Sequence, residues 1–259
     1  MNNTAKNSLY SFLYLLSFYL GIKLLPLKSW CGSLTWLSSL IFIALYLIII
    51  FLEIYESKKL NVSFEKKKHI NYLFLLPLIL GCMSNFLYCW LFNVSSTTTY
   101  INDVSSFIFD SILCLLGVII EEYLFRYIFL FFLDNYLKES KYKNLFLILL
   151  SSIAFSLMHC INFYGNNPIN VLLQLGYTFA LGLIFSYIML SFDNIYVAII
   201  GHFLFNYLNT NLFISFYSVE TNYKYILFSL GICLFVLIYL VLIFYLNRRK
   251  QKRFNEKKD

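Results

Sequence analysis

Charge is scarce in this sequence. Of its 259 residues only 13% are Asp, Glu, Lys or Arg, whereas an ordinary soluble domain carries about 25%. Hydrophobic residues make up 60% of the chain and aromatic residues 20%. A soluble fold of this size could not cover so much apolar surface, because over half of a folded protein's surface stays exposed. Intrinsic disorder fails on the same grounds, since it needs low hydrophobicity and high charge. The formal net charge is 20 − 13 = +7. Long uncharged stretches nevertheless speak against a nucleic-acid partner. Polar and apolar residues do not alternate within the apolar runs, which excludes a β-barrel. The six cysteines (Cys31, Cys82, Cys89, Cys114, Cys160 and Cys233) form no C-x-x-C pair. Most lie within apolar runs and read as small buried hydrophobes. There is no repeat of fixed period. No small-residue cleavage site follows the first apolar run, so that run is expected to be an uncleaved helix rather than a signal peptide.

What is present is a series of apolar runs of about 20 residues, the length that crosses a bilayer's hydrocarbon core. They lie at 8–27, 33–54, 70–92, 105–136, 145–163, 171–192, 195–215 and 225–246. The expected fold is all-α: a polytopic membrane helix bundle of about eight transmembrane helices. The first run is interrupted by Lys23. The fourth is about 48 Å long as a helix, so it must tilt or begin outside the membrane. Asp193-Asn194 marks a tight hairpin between the sixth and seventh runs. Lys6, Lys58, Lys59, Lys66, Lys67, Lys68, Lys138, Lys141, Lys143 and the basic residues of the tail from Arg248 to Lys258 fall on one side of this arrangement. They comprise 16 of the 20 basic residues. Lys23, Lys28 and Lys224 fall on the other side. Positive residues mark the cytoplasmic face, so both termini are expected there. Three regions follow: N-terminal helices over 1–104, a core over 105–215, and a last helix with a basic tail over 216–259. The tail reads as a topology signal more than as a lipid-headgroup site.

Ionisable residues within membrane spans are costly and default to functional candidates. Here they are Asp110, Glu121, Glu122, Arg126, His159 and His202, joined by the polar Asn206. His69, the third histidine, follows Lys68 at a helix start and reads as solvated. On a helix Glu122 and Arg126 stand at i and i+4 and can pair. Glu121 is turned about 100° from Glu122 and about 140° from Arg126. It is therefore expected to be a second carboxylate beside a neutralised pair, and a candidate general base. Asp110 lies about three turns away and is expected nearer an outer mouth. His202 and Asn206 also share one helix face, where Asn can orient the imidazole or donate to an oxyanion. His159 stands four residues after Phe155, placing an aromatic ring beside the imidazole. Each pair alone also fits a satisfied buried polar group. Two glutamates, two histidines and an asparagine on three separate spans have no packing rationale, and they can converge on one wet cavity.

The patterns Glu121-Glu122-x-x-x-Arg126, Phe155-x-x-x-His159 and His202-x-x-x-Asn206 resemble the three motifs of the CAAX-protease and bacteriocin-processing family. They occur in that family's order, each on an expected span, and the likeness extends over roughly 105–212. The resemblance implies peptide-bond hydrolysis inside a membrane cavity. Glu121 and His159 would activate water, His202 and Asn206 would stabilise the oxyanion, and Glu122, Arg126 and Phe155 would support them. It also implies a membrane-associated peptide or lipidated protein as substrate, either a CAAX-type prenylated protein or a bacteriocin or leader peptide, and a multi-pass location in a bacterial plasma membrane. Glu121, His159 and His202 form a legitimate zinc inventory. No H-E-x-x-H is present, and metal-independent glutamate catalysis is the favoured reading, with no cofactor. Two other classes stay open. One is a non-catalytic membrane immunity or scaffold protein. The other, a proton-relay transporter, ranks lower because no inverted repeat or broken helix pair is visible.

Overall fold

The computed structural model describes residues 3–26, 35–62, 73, 75–94, 104–138, 140, 142–192, 194–212 and 223–255. Lys28, Cys31, Lys66, Lys67, Lys68, His69, Lys141, Asp193, Lys257 and Lys258 lie outside the described residues. The described residues are helical or irregular, with no strand among them. In chain order the helices are α1 (Asn3–Lys23), α2 (Thr35–Lys59), α3 (Leu75–Cys82), α4 (Ser84–Leu91) and α5 (Val104–Glu122). A π-helical turn, π1 (Tyr123–Phe129), joins α5 to α6 (Leu130–Tyr136). Then come α7 (Lys143–Met158), a 3-10 segment (His159–Phe163), α8 (Pro168–Phe192) and α9 (Ile195–Asn206). A second π-helical turn, π2 (Tyr207–Leu212), follows α9, and α10 (Tyr223–Asn255) is last.

Among the described residues five helices are long and apolar enough to cross a membrane: α2, the continuous run Val104–Tyr136, α7 with its 3-10 extension, α8, and the Tyr223–Ile243 part of α10. They match five of the eight expected runs. The remaining three take other forms. α1 is helical but more polar, the run at 70–92 is broken at Met83 into α3 and α4, and α9 is short. Helices of this length and apolarity are those of an integral membrane protein.

Burial sorts the helices. The apolar window of α8 is 61% buried, against 17% for those of α2 and α10. α8 is therefore the central post, while α2 and α10 turn large side chains such as Phe51, Leu227 and Val241 outward, where lipid is as apolar as they are. α7 lies along α8, α2 along α5, and α1 along π1 and α6. Small residues set the closest of these approaches. A Cβ on Gly182 of α8 would fall 2.9 Å from the Ser152 Cα of α7, so glycine is what lets these two backbones meet.

Helix ends need partners, above all in lipid, where no water satisfies a freed backbone group. Asn194 caps α9, its side chain accepting from the Tyr196 N–H at 2.9 Å. At the α3–α4 break the Gly81 carbonyl accepts from Ser84 Oγ (2.8 Å) and from Asn209 Nδ2 (3.0 Å) of π2. In π1 the Phe125 carbonyl accepts from Ser151 Oγ at 3.3 Å.

Candidate active site

Each of the three motifs ends an α-helix where the backbone ladder changes. Glu121 and Glu122 are the last residues of α5 before π1, which carries Arg126. His159 opens the 3-10 segment after α7, and His202 and Asn206 close α9 before π2. Such irregular turns inside helices frequently mark functional sites. Glu121, Glu122, Arg126, His159 and His202 are all at most 7% exposed.

Glu122 sits at the centre. Its Oε1 lies 2.8 Å from His202 Nδ1, and its Oε2 lies 3.5 Å from Arg126 Nε. A carboxylate accepts, so Nδ1 of His202 carries the proton and donates. His202 Nε2 is then the acceptor, 3.2 Å from Asn206 Nδ2. The Arg126 guanidinium lies 4.2 Å over the Phe155 ring and 5.9 Å from that of Phe185, a cation–π sandwich in a dry interior. Phe155 also meets both imidazoles edge-on, at 5.1 Å from His159 and 5.7 Å from His202, and Phe185 stacks on His202 at 5.2 Å.

His159 is fixed by its own helix. Its Nδ1 lies 3.0 Å from the Phe155 carbonyl. A carbonyl has no proton to give, so Nδ1–H donates and Nε2 presents its lone pair. Both imidazoles thus hold the same tautomer, with Nε2 as the reactive edge, and both interact electrostatically with Glu121.

Glu121 departs from the sequence expectation. It is already paired: Oε1 accepts from Tyr19 Oη at 2.8 Å and from Lys23 Nζ at 3.1 Å, both on α1. Its Oε2 faces His202 Nε2 at 3.8 Å. Lys23, counted among the outer-side charges by sequence, is a member of the site. Its signal was available, since it interrupts an otherwise apolar run. Asp110 is exposed on α5 and takes no part. The centre therefore holds two cations, the half-buried Lys23 and the buried Arg126, against two carboxylates.

The donor types match zinc, but their placement does not. Among the described residues no three His, Cys, Asp or Glu side chains are gathered as metal ligands. Lys23 Nζ covers the Oε1 edge of Glu121, and Asn206 Nδ2 covers Nε2 of His202.

Beside Asn206 a cavity of about 200 Å³ opens between α3, α4, α8, α9 and α10. Leu181, Ile184, Phe205, Ile232 and Val236 give it apolar walls, and Ser84, Asn85 and Asn209 a polar rim. Asn209, which sequence reasoning passed over, ties that rim together. It donates to the Gly81 and Phe205 carbonyls and accepts from Ser84 Oγ.

Fold and site define an integral membrane helix bundle with a buried acid–base centre. Residues 103–208 match the family model Rce1-like, described as Type II CAAX prenyl endopeptidase Rce1-like. That segment, 106 of the 259 residues, carries all three motifs. Neither a curated protein nor a solved structure matches the chain.

Proposed function

We propose that the protein is an intramembrane endopeptidase of the CAAX type, acting without a metal on a prenylated, membrane-associated protein. The observation that carries this reading is the meeting of Glu121, His202 and Asn206 from α5 and α9 in a buried centre, with the Nε2 of His159, at the end of α7, left as an acceptor.

Glu121 takes a proton from water, and His159 Nε2 holds that water or shares its proton. The hydroxide oxygen bonds to the scissile carbonyl carbon. Asn206 Nδ2 donates to the oxyanion, and His202 Nε2 joins it by sharing the proton on Glu121 Oε2, 3.8 Å away. Collapse of the intermediate breaks the C–N bond, and the proton held by Glu121 passes to the leaving amine. Glu122 holds the His202 ring through Nδ1, and Arg126 neutralises Glu122. The apolar cavity beside Asn206 suits a substrate carrying an apolar group. Both termini face the cytoplasm in this reading, on the side where most of the basic residues are expected.

The test uses the full-length protein in lipid vesicles with a fluorogenic farnesylated peptide ending in a CAAX sequence. Glu121→Gln and His159→Ala should each lower cleavage by about 10²–10⁴-fold while the protein still inserts. Full activity in both variants overturns the proposal. Cleavage of an unprenylated leader peptide in preference to the farnesylated one moves the substrate to the bacteriocin class. A cellular phenotype that survives both substitutions would identify a non-catalytic immunity or scaffold protein.

A further inference from the structure

The matched segment begins at residue 103, yet the side chains closest to Glu121 Oε1 come from far upstream. Tyr19 Oη lies 2.8 Å and Lys23 Nζ 3.1 Å from that single oxygen. We propose that Tyr19 and Lys23 are positioning residues for Glu121, so that α1 is a working part of the site and not only a packing helix. This inference rests on the protease reading above.

The two oxygens of Glu121 have different surroundings. Oε1 is held from one side by a phenol and an ammonium; Oε2 faces His202 Nε2 at 3.8 Å. A carboxylate anchored at one oxygen presents the other in a fixed direction, which is what a general base needs when a small misplacement costs rate. The anchor is itself built. Tyr19 is 1% exposed and packs against Tyr46 of α2 at 5.9 Å between ring centroids. A Cβ on Gly117, one turn before Glu121, would come within 3.9 Å of the Tyr19 hydroxyl. Lys23 Nζ lies 4.6 Å over the Tyr19 ring, so phenol and ammonium brace each other. Lys23 is the last residue of α1, where a cation also suits the carbonyl end of the helix.

The charge pattern points the same way. The groups that act on Glu121 include Lys23 and Tyr19 from α1, Tyr46 from α2, Cys114 from α5, Arg126 from π1, His159 after α7 and His202 from α9. Glu122 is taken by Arg126 and His202. Lys23 is therefore the one full cation in contact with Glu121 among the described residues; Arg126 acts on Glu121 electrostatically but is paired with Glu122.

The experiment compares full-length wild type, Lys23→Met, Lys23→Arg and Tyr19→Phe in lipid vesicles by two measurements. The first is kcat and KM on the fluorogenic farnesylated CAAX peptide. Lys23→Met should lower kcat by about tenfold or more, the loss of a charge-assisted hydrogen bond, with KM nearly unchanged. Lys23→Arg should restore most of kcat, and Tyr19→Phe should lose less than Lys23→Met. The second is labelling by dicyclohexylcarbodiimide, which adds to protonated carboxyls, mapped by peptide mass spectrometry. Removing the counter-ion leaves a buried carboxylate that must take up a proton. Adducts at Glu121 should therefore rise in Lys23→Met and not in Lys23→Arg. Unchanged kcat in Lys23→Met, failure of arginine to rescue it, or labelling of Glu121 that ignores position 23 each overturn the inference. A wild type that does not cleave the peptide counts against the protease reading alone, and the labelling comparison still decides whether Lys23 governs Glu121.

Discussion

Glu122 Oε1 lies 2.8 Å from His202 Nδ1, although the two residues are 80 positions apart. Through this bond the second glutamate, not the first, holds the imidazole of α9, while its other oxygen faces Arg126 at 3.5 Å. The two adjacent glutamates thus divide the work. Glu122 ties α9 and π1 together, and Glu121 is held by Tyr19 and Lys23 of α1.

Glu122→Gln follows directly from that arrangement. It leaves the Arg126 guanidinium, 0% exposed, without its counter-ion. Breaking a buried pair from one side costs about 3–5 kcal/mol, so a clear fall in thermal midpoint is expected in detergent. The double variant Glu122→Gln with Arg126→Met should recover more than half of that loss, because both members of the pair are then neutral. Equal midpoints for the single and double variants would show that the pair is not what the bundle depends on.

Phe155 gives a second prediction. It is 0% exposed and touches Arg126, His159, His202 and Phe125. Phe155→Ala removes a core ring, at about 3–5 kcal/mol, and also opens the face on which Arg126 rests. Leu157→Ala, two residues on and 58% exposed, should stay within about 0.5 kcal/mol of wild type. Thermal unfolding of the two variants side by side tests the contrast.

Much of this was legible in the sequence, and the limits have a physical cause. Hydropathy identifies long helices because membrane thickness sets their length. Spacing identifies pairs on one helix, and Glu122 with Arg126, Phe155 with His159, and His202 with Asn206 do meet at i and i+4. Contacts between helices depend on rotation and depth, which a single sequence does not encode. The Glu122–His202 bond and the Tyr19–Lys23 clamp therefore emerge only in three dimensions. Lys23 was visible as a charge in an apolar run, but counting basic residues by side of the membrane treats it as a loop marker. The break of the run at 70–92 was hidden because α3 and α4 are both apolar, and the contacts from Asn209 that complete it come from π2.

Gly182 tests the packing that brings α7 to α8. A methyl group there would meet Ser152 Cα at 2.9 Å, a backbone atom that cannot swing aside. Gly182→Ala should destabilise by about 1–3 kcal/mol. Gly176→Ala and Gly231→Ala are controls, because a Cβ at either position meets nothing within 4 Å. If Gly182→Ala matched them in thermal midpoint, the close approach would not be limiting.

Asn206 separates chemistry from stability. It lies between His202 Nε2, 3.2 Å from its amide nitrogen, and the cavity whose wall it forms. If it donates to an oxyanion, Asn206→Ala should lower kcat by about 10²–10³-fold with little change in KM. The His202 ring would remain held by Glu122 through Nδ1, so the thermal midpoint should move far less than in Phe155→Ala. A rise in KM with kcat preserved would reassign Asn206 to substrate binding.

Metal dependence is the last point, and it turns on placement. Zinc hydrolases hold their ion with three protein ligands and leave one position for water. Here a site built from Glu121 Oε2, His159 and His202 would have to displace Asn206 from His202 Nε2 and would place the ion beside the Lys23 ammonium on the other oxygen of Glu121. Cleavage of the farnesylated peptide after exhaustive chelation should therefore stay within about twofold of the untreated rate, since a metal-bound fold or site loses its function to chelators. The check is the rate before and after treatment, with the metal content of the same sample measured by mass spectrometry. Loss of activity that zinc alone restores would overturn the metal-free mechanism. Zinc on Glu121 Oε2 would also shield that carboxylate, so the carbodiimide labelling of Glu121 would fall when zinc is added back.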